Sequence, residues 1–306
     1  MPDAQKRQTV VVIGGPTASG KSGLALAVAQ AANGTVINAD SMQVYNGLAR
    51  LSAQPPAADT AAAPHRLYGV LPPSEICSAV RWRDMALDEI ARAQGEGRLP
   101  VIAGGTGFYI RTLTDGISPM PEVSPHLRVQ LAAEIAAEGN ENFHKRLAAQ
   151  DPVMAARLHP GNTQRLIRAM EVLMHTGKSL AEWQALPPAG TPAHLRFIKV
   201  ALLPPRDVLY TRCNARFLQM MDDGVLEEVE SFPPPQKDAA WPLHKALGYP
   251  ELRAYLDGKL SRSDAIIAAQ QSTRHYAKRQ VTWFRNQMAA DIVLETPDAA
   301  AILAAL

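Results

Sequence analysis

Cysteine is nearly absent. Cys77 and Cys213 are the only two in 306 residues, too few for a zinc site and without the dense, even spacing of a secreted disulfide framework. A reducing cytoplasm is the expected setting. No sign of charge dominates either: 31 Lys plus Arg against 29 Asp plus Glu leave a net charge of +2. No chain-wide field therefore attracts nucleic acid, and any such partner must be held by local patches. There is no apolar run long enough to span a bilayer, and Met1 to Thr9 is polar, with no secretory core before the first strand. A membrane partner is not expected. Internal repeats and low-complexity tracts are missing too, apart from an Ala bias. What remains is 47% hydrophobic and 20% charged residues, the composition of an ordinary soluble protein of about two domains' length, which rules out disorder and a coiled coil.

The β-branched run Val10-Val11-Val12-Ile13 passes through Gly14-Gly15-Pro16 into the Ala/Leu-rich stretch Ser22–Ala32, which reads strand, turn, helix. Thr35-Val36-Ile37 is a second strand ending in Asn38-Ala39-Asp40. Leu99–Ala103 is a third, ending in Gly104-Gly105-Thr106-Gly107, and Ala79–Gln94 between them has helical spacing. Short apolar strands alternating with helices predict a parallel sheet with helices on both faces, whose ligands gather at the carboxyl ends of the strands. All three turns would share that edge. At Ser118 the pattern changes: Pro119, Pro121 and Pro125 open a strand-poor segment with helices at Leu127–Glu138, Asn142–Ala149 and Thr163–His175, closed by Pro187-Pro188 and Pro192. An inserted all-helical subdomain over residues 119–195 is expected within an α/β core made of 1–118 and 196–306. Phe197–Leu202 is expected as the last strand, followed by helices at Arg206–Met221, Gly224–Ser231, Leu252–Leu256 and Ser263–Met288.

Gly15, Pro16, Thr17, Ala18, Ser19, Gly20, Lys21 and Ser22 fit the pattern G-x-x-x-x-G-K-(S/T), between a strand and a helix as its mechanism demands. Backbone N–H groups would turn inward around phosphate oxygens, the helix start adds its dipole, Lys21 supplies a point charge and the Ser22 hydroxyl can ligate Mg²⁺. The loop establishes a polyphosphate or diphosphate ligand and leaves open whether that ligand is a nucleotide. Asp40 stands where its carboxylate would face the loop. It could instead cap a helix, or orient Mg²⁺ as in ordinary kinases and ATPases. The third strand ends in glycines rather than an acid, so Asp40 is the main acid available. Arg216 could be a solvated helix charge, but it closes the spaced set Arg206, Tyr210, Arg212, Arg216. Between Pro242 and Met288 eight cations (Lys245, Arg253, Lys259, Arg262, Arg274, Lys278, Arg279, Arg285) face three acids (Glu251, Asp257, Asp264). That surplus of five exceeds the whole chain's net charge. Phosphate contact suits this basic row, and core packing suits Trp283.

Read together, GPTASGKS, NADSMQVY, HRLYGVLPP, SAVRW, GGTGFYI, PRDVLYTRCNARFLQMMDDGVLEEV, LGYPEL and KRQVTWFR closely resemble, in order and from Val11 to about Arg285, the bacterial tRNA dimethylallyltransferases (tRNA isopentenyltransferases). The resemblance implies a P-loop NTPase-like core whose loop holds dimethylallyl diphosphate rather than ATP. It also implies prenylation of the exocyclic amine of the adenosine just 3′ of the anticodon. On that basis Asp40 is the general base, Thr106 hydrogen-bonds at the same centre, and Arg216 clamps the diphosphate with Lys21. The same resemblance sets Asp40, Ser41, Met42 and Gln43 against the target base and its neighbours. Arg128 and Gln164, Arg165, Leu166, Ile167 and Arg168 reach the tRNA loop from the inserted helices, and Lys278 and Arg279 add backbone contacts. It further implies Mg²⁺ as cofactor, the tRNA anticodon stem-loop as partner and a cytoplasmic monomer. Pro250 and Ser22 depart from the commoner family residues, and no C-terminal Cys/His finger of the eukaryotic kind is present.

Three other readings compete. A nucleotide kinase or ATPase shares the loop but would want an acid after Ala103. Prenyl transfer to a free adenine nucleotide leaves the helical insertion and the basic helix without a task. A non-catalytic RNA-binding module has little use for a complete phosphate loop beside Asp40 and Thr106.

Overall fold

The computed structural model describes residues 7–120, 123–236 and 241–306; Met1–Lys6 and Pro121, named above, lie outside them. Among the described residues six strands form one sheet: β1 (Gln8–Gly14), β2 (Gly34–Asn38), β3 (His65–Arg66), β4 (Leu99–Gly104), β5 (Leu195–Leu202) and β6 (Ile292–Leu294). Their order is β3-β2-β4-β1-β5-β6 and every pairing is parallel. This is the parallel α/β sheet expected from the alternation of strands and helices.

The helices are α1 (Lys21–Ala31), α2 (Ala57–Ala62), α3 (Ala79–Gly95), α4 (Gly107–Thr114), α5 (Pro125–Glu138), α6 (Asn140–Gln150), α7 (Pro152–Ala155), α8 (Thr163–Thr176), α9 (Leu180–Ala185), α10 (Arg206–Asp222), α11 (Val225–Ser231), α12 (Tyr249–Leu256), α13 (Arg262–Gln287) and α14 (Ala299–Leu303). The strand period of two divides the β1 valines between faces. Val10 and Val12 join one core with Trp82, Ile90, Tyr109 and Phe284; Val11 and Ile13 join another with Leu24 and Val28 of α1 and Ile302 of α14. Both faces are buried, which is why the strands read as continuous apolar runs.

Register fixes the working edge. Gly14 of β1 pairs with Gly104 of β4, and Asn38 of β2 pairs with Ala103 of β4. The three turns that follow these strands therefore emerge side by side. A Cβ at Gly104 would overlap the Ala39 backbone, so only glycine lets the β4 turn lie this close to the β2 turn.

The chain divides into two compact units, residues 1–114 with 192–306 and residues 115–191. The second is helical around a core of Leu131, Ile135, Phe143, Leu147, Leu166 and Met170. The Asn162 side chain caps the start of α8 by accepting the Arg165 N–H, and Gly177 at φ 70° ends it. Phe197–Leu202 is not the last strand, since β6 pairs beyond it. The two- and three-residue edge strands β3 and β6 are too short to show a period, and α4 begins directly in the glycine turn.

Candidate active site

The loop after β1 wraps the start of α1. Gly15 and Pro16 are buried, Ser19 is fully buried, and Gly20 and Ser22 are exposed. Ala18 takes a left-handed φ of 62°, a conformation unfavourable for a residue with a Cβ by about 1–2 kcal/mol. It is held there from both sides. The Ser19 carbonyl accepts from Arg212 Nη1 at 3.3 Å, and Thr17 Oγ1 accepts from Arg216 Nη2 at 2.5 Å. The first N–H groups of α1 have no preceding turn to accept them and no capping side chain at Gly20, which leaves them free, the arrangement by which helix starts can hold an anion.

A cavity of about 280 Å³ lined by Ala18, Gly20, Lys21, Ser22, Arg212 and Arg216 opens at this point. Three cations share it. Withdrawal from water lowers the Lys21 pKa to about 8, with Asp40 opposing the change and Arg216 adding to it. The Arg216 pKa is pulled down by burial as well, against Cys213 and Asp40. Lys21 and Arg216 are both withdrawn from water, with the Asp40 carboxylate as the opposing charge between two buried cations, a surplus of positive charge that suits a polyanion. The Lys21 Nζ rests on the Pro16 carbonyl at 3.2 Å.

The β2 turn supplies the acid. Asn38, fully buried, accepts the Asp40 N–H at 2.8 Å and donates to the carbonyls of Asp40 and Leu67, both at 3.0 Å. Trp82 Nε1 in turn donates to the Asn38 carbonyl at 2.8 Å. Asp40 Oδ1 accepts the Met42 N–H at 3.0 Å, a local cap, so Oδ2 is the oxygen left for chemistry. Burial and then the Asp40 charge raise the Tyr68 and Tyr276 hydroxyl pKa values, which keeps both neutral in the field of that carboxylate. Thr106 joins from β4: its hydroxyl accepts the Ser41 N–H at 2.9 Å, and its own N–H donates to the Ala39 carbonyl at 3.1 Å.

A family model described as IPP transferase matches residues 43–287, and one described as isopentenyl transferase matches residues 8–72. The chain belongs to the IPP transferase family. It is similar to a tRNA dimethylallyltransferase of Rhodospirillum centenum, 53% identical over 92% of this chain and 90% of that protein, and to one of Paramagnetospirillum magneticum, 51% identical over 92% and 89%. Among solved structures it resembles the tRNA isopentenylpyrophosphate transferase of Bacillus halodurans, with a TM-score of 0.68 at 33% identity over 97% of this chain and 93% of that one. A eukaryotic dimethylallyltransferase acting on tRNA superposes with a TM-score of 0.77 at 26% identity, over 97% and 77%.

In this IPP transferase family member the first unit brings together the loop, Asp40, Ser41, Met42, Gln43, Thr106 and Arg216, and it also carries Lys278 and Arg279. Gln43 has both amide protons engaged, by the carbonyls of Ser52 and Ala53 at 2.8 Å each, so only its Oε1 is open to a base. Met42 packs in part on the core. Lys278 and Arg279 are exposed and, with His275 and Thr282, line an open cleft of about 390 Å³ on α13. Arg274 of the same row instead donates to Asn214 at 2.6 Å.

Within the helical unit Gln164 and Arg165 are exposed. Leu166 is fully buried in that unit's core, which corrects its expected RNA contact: at α8's buried stripe its side chain serves packing. Ile167 is half-buried against the same core. Arg128 and Arg168 both pair with the buried Glu171, at 2.7 and 3.1 Å, so each reaches outward only with the part of its guanidinium that this carboxylate leaves unclaimed. Sequence reasoning missed Asn38, the roles of Tyr68 and Tyr276, the loop contact of Arg212, and Gln280, a buried residue of α13.

Proposed function

We propose that the chain transfers a dimethylallyl group from dimethylallyl diphosphate to the N6 amine of the adenosine 3′-adjacent to the anticodon in tRNA, releasing diphosphate. The observation that carries this reading is the cation-lined cavity at the loop next to a turn where Asp40 keeps one carboxylate oxygen free beside Thr106. The bond from the allylic carbon to the diphosphate oxygen breaks, and the electron pair leaves with the diphosphate. The carbon bonds to N6, and the amine proton passes to Asp40. Lys21, Arg212, Arg216 and the free N–H groups at the start of α1 neutralise the charge growing on the leaving group. Because the amine lone pair is delocalised into the adenine ring, a positioned base contributes about 10²–10⁴ in rate. Thr106, fixed by Ser41, offers its hydroxyl at the same centre.

Mg²⁺ fits the donor set. Among the described residues no three His, Cys, Asp or Glu gather, and Ser22 presents one exposed hydroxyl at the cavity. This ion takes few protein ligands and completes its shell with phosphate oxygens and water. When bound it would supply further neutralisation of the leaving diphosphate.

The acceptor base must leave the stack to reach Asp40, and the exposed Lys278 and Arg279 would hold the flanking phosphates. The second unit, through Arg128, Gln164, Arg165, Ile167 and Arg168, is read as the other part of the tRNA grip. The same reading makes the protein a cytoplasmic monomer, since one chain carries both donor cavity and basic helix and tRNA is met in the cytoplasm. No helix among the described residues is long and apolar enough to cross a membrane.

The test is to incubate the protein with labelled dimethylallyl diphosphate, Mg²⁺ and either an anticodon stem-loop bearing adenosine 3′ of the anticodon or free AMP. Label in the RNA is expected. Label in AMP alone would overturn the assignment of the acceptor.

A further inference from the structure

Gln280 lies on the helix whose basic row is expected to meet RNA phosphates and whose Trp283 is expected to pack in the core. It is 6% exposed, and both ends of its amide are engaged across the site. Its Oε1 accepts the Thr17 N–H at 2.8 Å, and its Nε2 donates to the Gly105 carbonyl at 2.8 Å. One side chain from α13 thus ties the phosphate loop to the β4 turn that carries Thr106 and lies against Asp40. The helix is pressed into this edge along one face: a Cβ at Gly105 would overlap the Gln280 amide, one at Gly107 would overlap Trp283, and one at Gly14 would overlap Phe284. Residues 280, 283 and 284 share one side of a helix, and the glycines opposite them are the cradle that lets it seat. The neighbouring Lys278 and Arg279 point to solvent. Thr17, meanwhile, has its N–H committed to Gln280 and its hydroxyl oxygen accepting from Arg216, which leaves only the hydroxyl proton for a phosphate.

We infer that Gln280 is a positioning residue: a strut that holds the phosphate loop, through Thr17, at a fixed place relative to the Gly105–Thr106 turn, so that the leaving diphosphate and the base at Asp40 are registered to each other. It touches neither substrate. Its amide supplies what the span needs, an acceptor for one backbone and a donor for the other. Losing it leaves one part-buried N–H and one buried carbonyl without partners, an effect of about tenfold or more on any equilibrium that depends on the loop's geometry. The inference rests on the diphosphate reading of the loop.

The experiment compares the wild-type chain with Gln280→Ala and Gln280→Met, measuring affinity for inorganic diphosphate with Mg²⁺ and, separately, for an anticodon stem-loop RNA. Methionine keeps the volume and flexibility of the side chain while removing both hydrogen bonds, so it decides the matter even if the alanine variant does not fold. Expected is a loss of about tenfold or more in diphosphate affinity for both variants, with RNA affinity within about twofold of wild type. A methionine variant that binds diphosphate like wild type reduces Gln280 to packing and overturns the strut. A parallel loss of RNA affinity also overturns it, because the damage would then belong to the whole helix. Failure of the wild-type chain itself to bind diphosphate overturns the reading of the loop and the strut together, whereas wild-type binding with unchanged variants overturns the strut alone.

Discussion

The Ser41 N–H donates to Thr106 Oγ1 at 2.9 Å, joining the turn after β2 to the turn after β4 across 65 positions of chain. The bond orients the Thr106 hydroxyl and steadies the residue that follows Asp40. Thr106→Ala removes the acceptor and strands the Ser41 N–H. Turnover is expected to fall by about 10–100-fold, the scale of removing one buried or site hydrogen bond. Thr106→Ser, which keeps the oxygen, should stay within a few-fold. Steady-state kinetics of the two variants with saturating RNA check this, and equal losses in both would detach the hydroxyl from the reaction.

Asp40→Asn keeps an acceptor for the Met42 N–H but cannot take a proton. Transfer should drop by about 10²–10⁴ while stem-loop affinity stays nearly intact. Single-turnover rates set beside RNA binding curves separate the two effects. Wild-type rates in this variant would remove Asp40 from the role of base.

Arg216 reaches the loop through Thr17 and lines the cavity. Arg216→Ala leaves Lys21 and Arg212 as the cavity's cations, so the donor concentration needed for half-maximal rate should rise by about tenfold or more, as for removal of a charge-assisted hydrogen bond. The donor titration is the readout, and an unchanged response would make Arg216 a structural partner of the loop only.

Lys21, held at about 8, binds fewer protons in the folded chain than in the unfolded one between that value and the ordinary 10.5. Its contribution to stability therefore rises with pH through this window. Diphosphate binding needs the ammonium and runs the other way: affinity should weaken above about pH 8, by up to about tenfold per pH unit, with proton uptake on binding. Calorimetry in buffers of different ionisation enthalpy reports that uptake. Lys21→Met should abolish the part of it that wild type shows in excess of diphosphate's own titration.

Lys278 and Arg279 are exposed on α13 beside His275 and Thr282. Replacing either with Ala should weaken RNA binding across sequences and reduce the slope of log affinity against log salt by about one for each phosphate that the side chain neutralises. Fluorescence anisotropy at several salt concentrations measures the slope. No change would make the pair a solvated face.

Much of the core is legible in the sequence because two periodicities coincide with a motif. Val10–Ile13 alternate between the two cores, the G-x-x-x-x-G-K-S run sits between strand and helix, and Asp40 follows β2 at the shared edge. The boundaries of β1, β2, β4 and α3 differ from the expected ones by only a residue or two. What stays hidden acts through the backbone or across long separations. Asn38 looks like a turn former, and its work is to hold two carbonyls and an N–H around Asp40. Gln280 stands among Lys278, Arg279 and Arg285 and reads as part of a solvent face. The signal that could have found it is its spacing from Trp283 and Phe284, three and four residues on, which puts it on the packed side. Leu166 is misplaced when a contiguous segment is followed rather than the helical stripe, where it belongs with Ala169 and Met170 in the core.

On the proposed function the phosphate loop holds a prenyl diphosphate whose organic group, not its phosphate, is transferred. Intact-mass analysis of an anticodon stem-loop RNA after incubation with the protein, Mg²⁺ and either dimethylallyl diphosphate or ATP tests it most directly. The prediction is one dimethylallyl group added per RNA, located by fragmentation at the adenosine 3′ of the anticodon, with one diphosphate released and no reaction of ATP. An unmodified RNA accompanied by ATP hydrolysis or phosphoryl transfer would contradict it.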